Sequence, residues 1–199
     1  MATFLLIRHA AHNDVGQRLS GRLPGLELSA AGRAQADDLT QRLRAEPLAA
    51  VRSSPRERTV ATAQAIAVPH GLTVTTEDAL DEIDFGDWAG RSFASLAGDP
   101  VWDDWNGARA TGTAPGGERM ADAQVRIVHH LAAIAAHEPL GCTAIVTHCD
   151  MIRAIVCHLL GLSLDRLLRL AVEPASVTRI AMDGDGSGQL LSLNEGGYR

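Results

Sequence analysis

Two short uninterrupted apolar runs each end on a histidine, and this pattern narrows the possible folds sharply. Phe4-Leu5-Leu6-Ile7 leads into Arg8-His9, and Thr143-Ala144-Ile145-Val146-Thr147 leads into His148. A run without polar alternation suits a strand covered on both faces, as in parallel sheets. In open α/β sheets, ligands bind just outside the carboxyl ends of the strands. A polar residue directly after a buried strand is therefore a site candidate. One histidine in that place reads equally well as a satisfied structural residue; two on matching elements favour a site.

The intervening segments alternate between short β-like runs and helical patterns, which predicts an α/β layer fold. Ser29 is placed to cap a helix running to about Ala45, with Ala36, Leu39 and Leu43 on one face. Ala49 to Arg52 reads as a second strand, and Glu57 to Val68 as an alanine-rich helix stopped at Pro69. Residues from about Glu77 to Gly117 are irregular and hold Trp88, Trp102 and Trp105. A long helix is expected from about Glu118 to His137, with Ala121, Val125, Val128, Leu131 and Ala135 as its inward stripe. After Thr143–Thr147 a further helix should end near Gly161, a natural C′ residue. Val177–Met182 and Leu190–Leu193 read as closing strands around a turn at Asp183–Gly188.

Composition excludes several function classes. A chain of 199 residues, 46% hydrophobic and 21% charged, has the length and make-up of one soluble domain covering residues 1–199. Its formal charge of −6 speaks against non-specific nucleic-acid binding, which needs a basic face. No stretch approaches the ~20 apolar residues of a membrane span. The first residues have neither the basic start nor the apolar length of a signal peptide. Cys142, Cys149 and Cys157 are odd in number and lack paired spacing, so they read as reduced thiols of a cytoplasmic protein. His129, His130 and His137 lie on the expected long helix with no carboxylate or cysteine completing a ligand set, so no metal is expected.

A third element repeats the strand-end theme. Ser53-Ser54-Pro55-Arg56-Glu57-Arg58 follows a short strand and opens a helix, whose free N–H groups and dipole favour an anion. A guanidinium there matches phosphate oxygens, and Arg56 and Arg58 compete for that role. The ordered segments of the chain are Leu5-Leu6-Ile7-Arg8-His9, then Ser20-Gly21-Arg22 with Leu28-Ser29-x-x-Gly32-x-x-Gln35-Ala36, then Ser53-Ser54-Pro55-x-x-Arg58-x-x-x-Thr62-Ala63. They continue as Leu80-x-Glu82-x-Asp84-Phe85-Gly86-x-Trp88-x-Gly90, Pro115-Gly116-Gly117-Glu118 and Val146-Thr147-His148. In this order they resemble the histidine phosphatase superfamily, the phosphoglycerate-mutase-like proteins, over essentially the whole chain.

The resemblance implies a three-layer α/β/α sandwich with a mostly parallel central sheet, and a cap-like segment at about 85–118. It implies a phosphomonoesterase acting on a small phosphorylated metabolite through a phosphohistidine, with neither metal nor cofactor. His9 would be the nucleophile, attacking as a neutral imidazole whose other nitrogen donates to a backbone carbonyl. Arg8, Arg58 and His148 would surround the phosphoryl oxygens, and Glu82 would protonate the leaving oxygen and later activate water. Ser20 and Gly21 would contribute to the phosphate and substrate site.

This chain departs from the family pattern at several positions. Ala10 replaces the glycine after Arg-His, and Ala11-His12 replaces the usual Glu-Thr. Asn13 is the candidate for the family's phosphate-contacting asparagine, with Asp14 as the alternative. Cys149 replaces the glycine after the second histidine. It is either a small space-filling residue of the site or a thiol acidified by a helix N-terminus. Trp102 and Trp105 belong either to a satellite core or to a wall that selects the substrate. Two other functions stay open: a phosphoglycerate-type mutase, which the compact chain disfavours, and a non-catalytic phospho-ligand module, which His9 and Glu82 disfavour. The expected partner is a small phosphate ester, with a homodimer left open.

Overall fold

The computed structural model describes residues 1–138 and 140–196 and centres on a six-stranded sheet. Its strands are β1 (Ala2–Arg8), β2 (Ala50–Ser53), β3 (Val74–Thr76), β4 (Cys142–Thr147), β5 (Val177–Met182) and β6 (Gly188–Glu195). They lie in the order β3-β2-β4-β1-β5-β6. The first four in that order are mutually parallel, β5 runs antiparallel to β1, and β6 runs antiparallel to β5. The sheet is thus mostly parallel, as the apolar runs require. Strand β3, three residues of an edge, carries no apolar run and was not expected from the sequence.

The helices are α1 (Ala30–Leu43), α2 (Glu57–Ala67), α3 (Phe93–Leu96), α4 (Pro100–Gly107), α5 (Met120–His137) and α6 (Cys149–Leu160). Alternation along β1 separates two cores. Leu5 and Ile7 pack with Leu39 and Leu43 of α1 and Ile66 of α2. Phe4 and Leu6 pack with Ile127 and Leu131 of α5 and Ile152 and Ile155 of α6. Helices therefore cover both faces, giving the three layers. Neighbouring parallel strands β1 and β4 send their following helices, α1 and α6, to opposite faces. A crevice must open between their carboxyl ends, the place where such sheets bind ligands.

Local chemistry explains the boundaries. The Ser29 hydroxyl accepts from the Gly32 amide and caps α1. A Cβ on Gly32 would lie 1.8 Å from the Ala11 carbonyl oxygen, so the helix meets the loop after β1 only because the residue is glycine. Gly161 ends α6 in the left-handed region at φ +62°. The stripe of α5 is corrected in part. Val128, Leu131 and Ala135 are buried as expected, with Met120, Ala123, Ile127 and Ile134 beside them, whereas Val125 is 51% exposed and Ala121 half-buried. The buried face runs through 120, 123, 127, 131 and 134 at the 3.6-residue period, so 121 and 125 fall at its edge. The segment at 85–118 is also more ordered than expected. Ser92 caps α3, and Asp99 followed by Pro100 starts α4.

Candidate active site

Ladder hydrogen bonds continue past the strands and fix the first site residues. The His9 amide donates to the Thr147 carbonyl at 3.0 Å, and the Ser54 amide donates to Val146 at 3.0 Å. Arg8 pairs with Thr147 in register, so His9 and His148 emerge side by side, their ring centroids 5.3 Å apart. His9 is 5% exposed and His148 fully buried. His9 Nδ1 lies 2.8 Å from the Ala10 carbonyl oxygen. A carbonyl only accepts, so Nδ1 carries the proton and Nε2 keeps a lone pair. Burial, reinforced by His148, Arg58 and Arg8, holds the His9 pKa well below the ordinary value.

Arg58, the second residue of α2, is 1% exposed. Its Nε donates to His9 Nε2 at 3.3 Å, and its Nη2 lies 2.5 Å from the Gly21 carbonyl and 3.2 Å from His148 Nδ1. Among the described residues no carboxylate is ion-paired with it, and its buried Nη1 has no partner. Arg8 Nη1 donates to the Val172 carbonyl, while its buried Nε is also unpartnered, as is the Ser20 hydroxyl. An unpaired buried guanidinium is costly, and orphaned buried donors are uncommon. These donors ask for an anion.

Arg56, the competitor, is turned away. It forms an ion pair with Asp81 and donates to the Arg22 carbonyl. Glu82 is 7% exposed rather than a surface carboxylate. Its backbone is clamped: Arg22 Nε donates to the Glu82 carbonyl at 2.7 Å, Arg126 Nη1 to those of Ala79 and Asp81, and Thr147 to that of Leu80. Burial first, and the Asp150 carboxylate next, raise the Glu82 pKa to about 8. A protonated carboxyl therefore sits near neutral pH beside a neutral imidazole and a cationic pocket.

Arg8, His9, Arg58 and Glu82 line one cleft of about 620 Å³, together with His12, Ser20, Gly21 and Cys149, while fully buried His148 packs behind His9 and Arg58. Such an arrangement can bind a phosphoryl group, offer it a nitrogen nucleophile and supply a proton. The sequence model of the histidine phosphatase superfamily (branch 1) matches residues 4–196. The chain belongs to this superfamily. Phosphoserine phosphatase 1 of Hydrogenobacter thermophilus is 32% identical over 198 residues, 98% of this chain and 92% of that protein. A protein called probable phosphoglycerate mutase GpmB, from Salmonella choleraesuis, is 30% identical over 186 residues, 90% of this chain and 85% of that one. Among solved structures, the mycobacterial glucosyl-3-phosphoglycerate phosphatase Rv2419c superimposes with a TM-score of 0.85. It is 26% identical, over 96% of this chain and 98% of that one.

Within this histidine phosphatase, Asn13 is a correction. It is exposed and lies outside the cleft lining, and Asp14 is also absent from the lining. A bridge pairs His12 with Leu28 and turns the His12 side chain inward, so the next residue points out. His12 is 6% exposed, with its ring centroid 5.4 Å from that of His9. Its Nδ1 accepts from the Asp14 amide at 3.2 Å, which leaves Nε2–H as the free donor. Burial, with Arg58 adding, lowers its pKa to about 4. A histidine in a polar loop just after a site strand was the available signal.

Cys149 lines the cleft, but its thiol is not acidified. Burial pushes its pKa up to about 11, and its Sγ lies 3.5 Å from the Val172 carbonyl. Desolvation outweighs the nearby Arg8 and Arg153 charges. The outer cleft was not legible in the sequence. Asp150 binds Arg109 Nη1 at 2.9 Å and Arg153 Nη1 at 3.0 Å, and Arg109 lies 3.6 Å over the Trp105 ring. Trp88 and Trp105 are buried, while half-buried Trp102 stacks on Trp105 and lines the cleft with Phe93. Trp105 thus belongs to the core, and Trp102 packs on it and forms part of the cleft wall.

Proposed function

We propose that this chain hydrolyses phosphate monoesters of small metabolites through a phosphorylated His9, without a metal. Arg58 carries the reading: a buried guanidinium with no carboxylate partner among the described residues and an unsatisfied Nη1, in contact with His9. The dianionic phosphoryl group supplies its missing counter-charge. Arg8 and Arg58 provide the positive charge that a metal would otherwise bring.

In the first step the His9 Nε2 lone pair forms a bond to phosphorus. The phosphorus–oxygen bond of the ester breaks, and the proton of Glu82 goes to the leaving oxygen. In the second step Glu82, now a carboxylate, takes a proton from water. The water oxygen bonds to phosphorus, and the electron pair of the phosphorus–nitrogen bond returns to His9. Glu82 ends protonated, ready for the next ester.

The names of the relatives, two phosphatases and one mutase, frame the test. Purified protein is supplied with an aryl phosphate, phosphoserine, glucosyl-3-phosphoglycerate and 3-phosphoglycerate in the presence of a chelator, and kcat/KM is compared across them. The expected result is chelator-insensitive phosphate release from at least one ester. Absence of release from every ester contradicts the reading. The GpmB likeness favours one second reading, a mutase. Isomerisation of 3-phosphoglycerate far faster than hydrolysis, given catalytic 2,3-bisphosphoglycerate, would replace the first reading with it.

A further inference from the structure

One carboxylate touches both the His148 side and the Glu82 side of the site without lining the cleft. Asp81 is 4% exposed. Its Oδ1 accepts the Ser54 hydroxyl at 3.1 Å and the Glu82 amide at 3.0 Å. His148 Nε2 lies 2.8 Å from Ser54 Oγ and 3.5 Å from Asp81 Oδ1. On the far side Arg56 Nε donates to both oxygens of the same carboxylate, at 3.0 and 2.9 Å.

The proton directions in this chain follow from what each group can do. The ionised carboxylate only accepts, so the Ser54 hydrogen points to Asp81. Ser54 Oγ then offers a lone pair to His148, whose Nε2 must carry a proton to fill it. Nδ1 is left as the acceptor facing Arg58 Nη2 at 3.2 Å. The opposite tautomer would set Nδ1–H against an arginine N–H and leave Nε2 without a donor. The ion pair with Arg56 keeps Asp81 ionised. Burial works the other way, but hydrogen bonds from His148 and Arg56 outweigh it and hold its pKa far below the usual carboxylate range.

We infer that Asp81 is a positioning residue that aligns two elements of the site at once: through Ser54 it fixes the tautomer of His148, which holds Arg58, and through the Glu82 amide it holds the acid in place. The assignment rests on the phosphatase reading above. It gives a purpose to Arg56, which the site otherwise does not use: Arg56 anchors the carboxylate from behind.

The test separates this role from a merely structural one. Asp81→Asn, Ser54→Ala and Arg56→Met are compared with the parent protein by steady-state kinetics on an aryl phosphate. The protonated nitrogen of His148 is followed by long-range proton–nitrogen NMR. Asp81→Asn should lower kcat about 10- to 100-fold, the range typical when a carboxylate orienting a histidine is lost, while KM changes much less. In Asp81→Asn the Ser54 hydrogen is free to turn toward His148, and the ring should lose its single Nε2–H form. In Ser54→Ala the Nε2–H resonance should shift as its hydrogen-bond partner is removed. Arg56→Met, which removes the anchor but leaves the Ser54 and Glu82 contacts of Asp81, should lower kcat less than Asp81→Asn and leave the Nε2–H form in the majority. The inference is overturned if Asp81→Asn keeps both kcat and tautomer. It is equally overturned if Arg56→Met matches its kinetic loss with the tautomer intact, which would make the pair a loop strut. If Asp81→Asn does not fold, Ser54→Ala, which leaves the Arg56–Asp81 pair standing, decides by the same two readouts. A parent protein without turnover would sink the phosphatase reading instead, and the NMR signature would still report on Asp81.

Discussion

The floor and the rim of the cleft are built on opposite terms. On the floor His9, Arg58, Glu82 and His148 are each no more than 7% exposed, and they stand on or beside strand ends that the sheet ladder holds. Buried donors there, Arg8 Nε, Arg58 Nη1 and Ser20 Oγ, have no partner. At the rim one buried carboxylate serves two cations, since Asp150 is taken by both Arg109 and Arg153, and the buried Arg109 Nε has no partner. The rim adds exposed apolar surface to these charges: Phe93 is 38% and Leu168 50% exposed, next to half-buried Trp102. A rigid floor short of an anion suits one chemistry applied to every substrate. A rim of loosely covered side chains suits choice among esters.

If that division holds, damage should grade from floor to rim. His9→Ala should abolish turnover and phosphoenzyme together, while circular dichroism shows the fold retained. Glu82→Gln should lower kcat by roughly 10²–10⁴-fold, the usual contribution of general acid–base catalysis, with inhibition by inorganic phosphate preserved. Arg58→Ala should cost about 10²–10³-fold in kcat/KM and, unlike Glu82→Gln, should also weaken inorganic phosphate. Phosphate inhibition separates the two.

A pH profile sharpens the link between the zones. Glu82 is protonated below its pKa of about 8 and loses its acid proton above it, so activity should fall on the alkaline side. Asp150→Asn removes the neighbouring negative charge and frees two cations, and both effects lower the Glu82 pKa. The alkaline limb should therefore move to lower pH; an unmoved limb would uncouple rim from floor. The smallest effect is expected at the wall. Trp102→Ala should reduce kcat/KM for a bulky ester about 2- to 10-fold, the worth of an aromatic contact, and leave phosphate inhibition unchanged.

The same contrast governs what the sequence could tell. Strands β1 and β4 were legible because burial on both faces writes an unbroken apolar run, and the residues after them follow from the chain itself. An α/β layer fold followed from the alternation of those runs with helical patterns, and its three-layer form from the family resemblance. His12 was passed over for Asn13 because inward and outward positions in a loop are set by the distant pairing of His12 with Leu28, which leaves no periodic mark. Asp81 sits beside Glu82 in sequence, yet its tie to His148 runs through Ser54, whose backbone is held by β4. The cluster of Arg109, Asp150 and Arg153 joins the cap-like segment to α6 and exists only in three dimensions. Val125 shows the reverse error, an apolar residue read as inward on a helix whose buried stripe lies elsewhere.

The central claim is that the phosphoryl group rests on His9 Nε2 between ester and water. Rapid mixing of enzyme with an aryl phosphate carrying labelled phosphorus, quenched in alkali where phosphohistidine survives, tests it most directly. The account predicts label bound to the protein within the first turnover and mapped by mass spectrometry to His9, absent from His9→Ala and lost to water on further incubation. Product release during the first turnover with no label on the protein, or label on another residue, would contradict it.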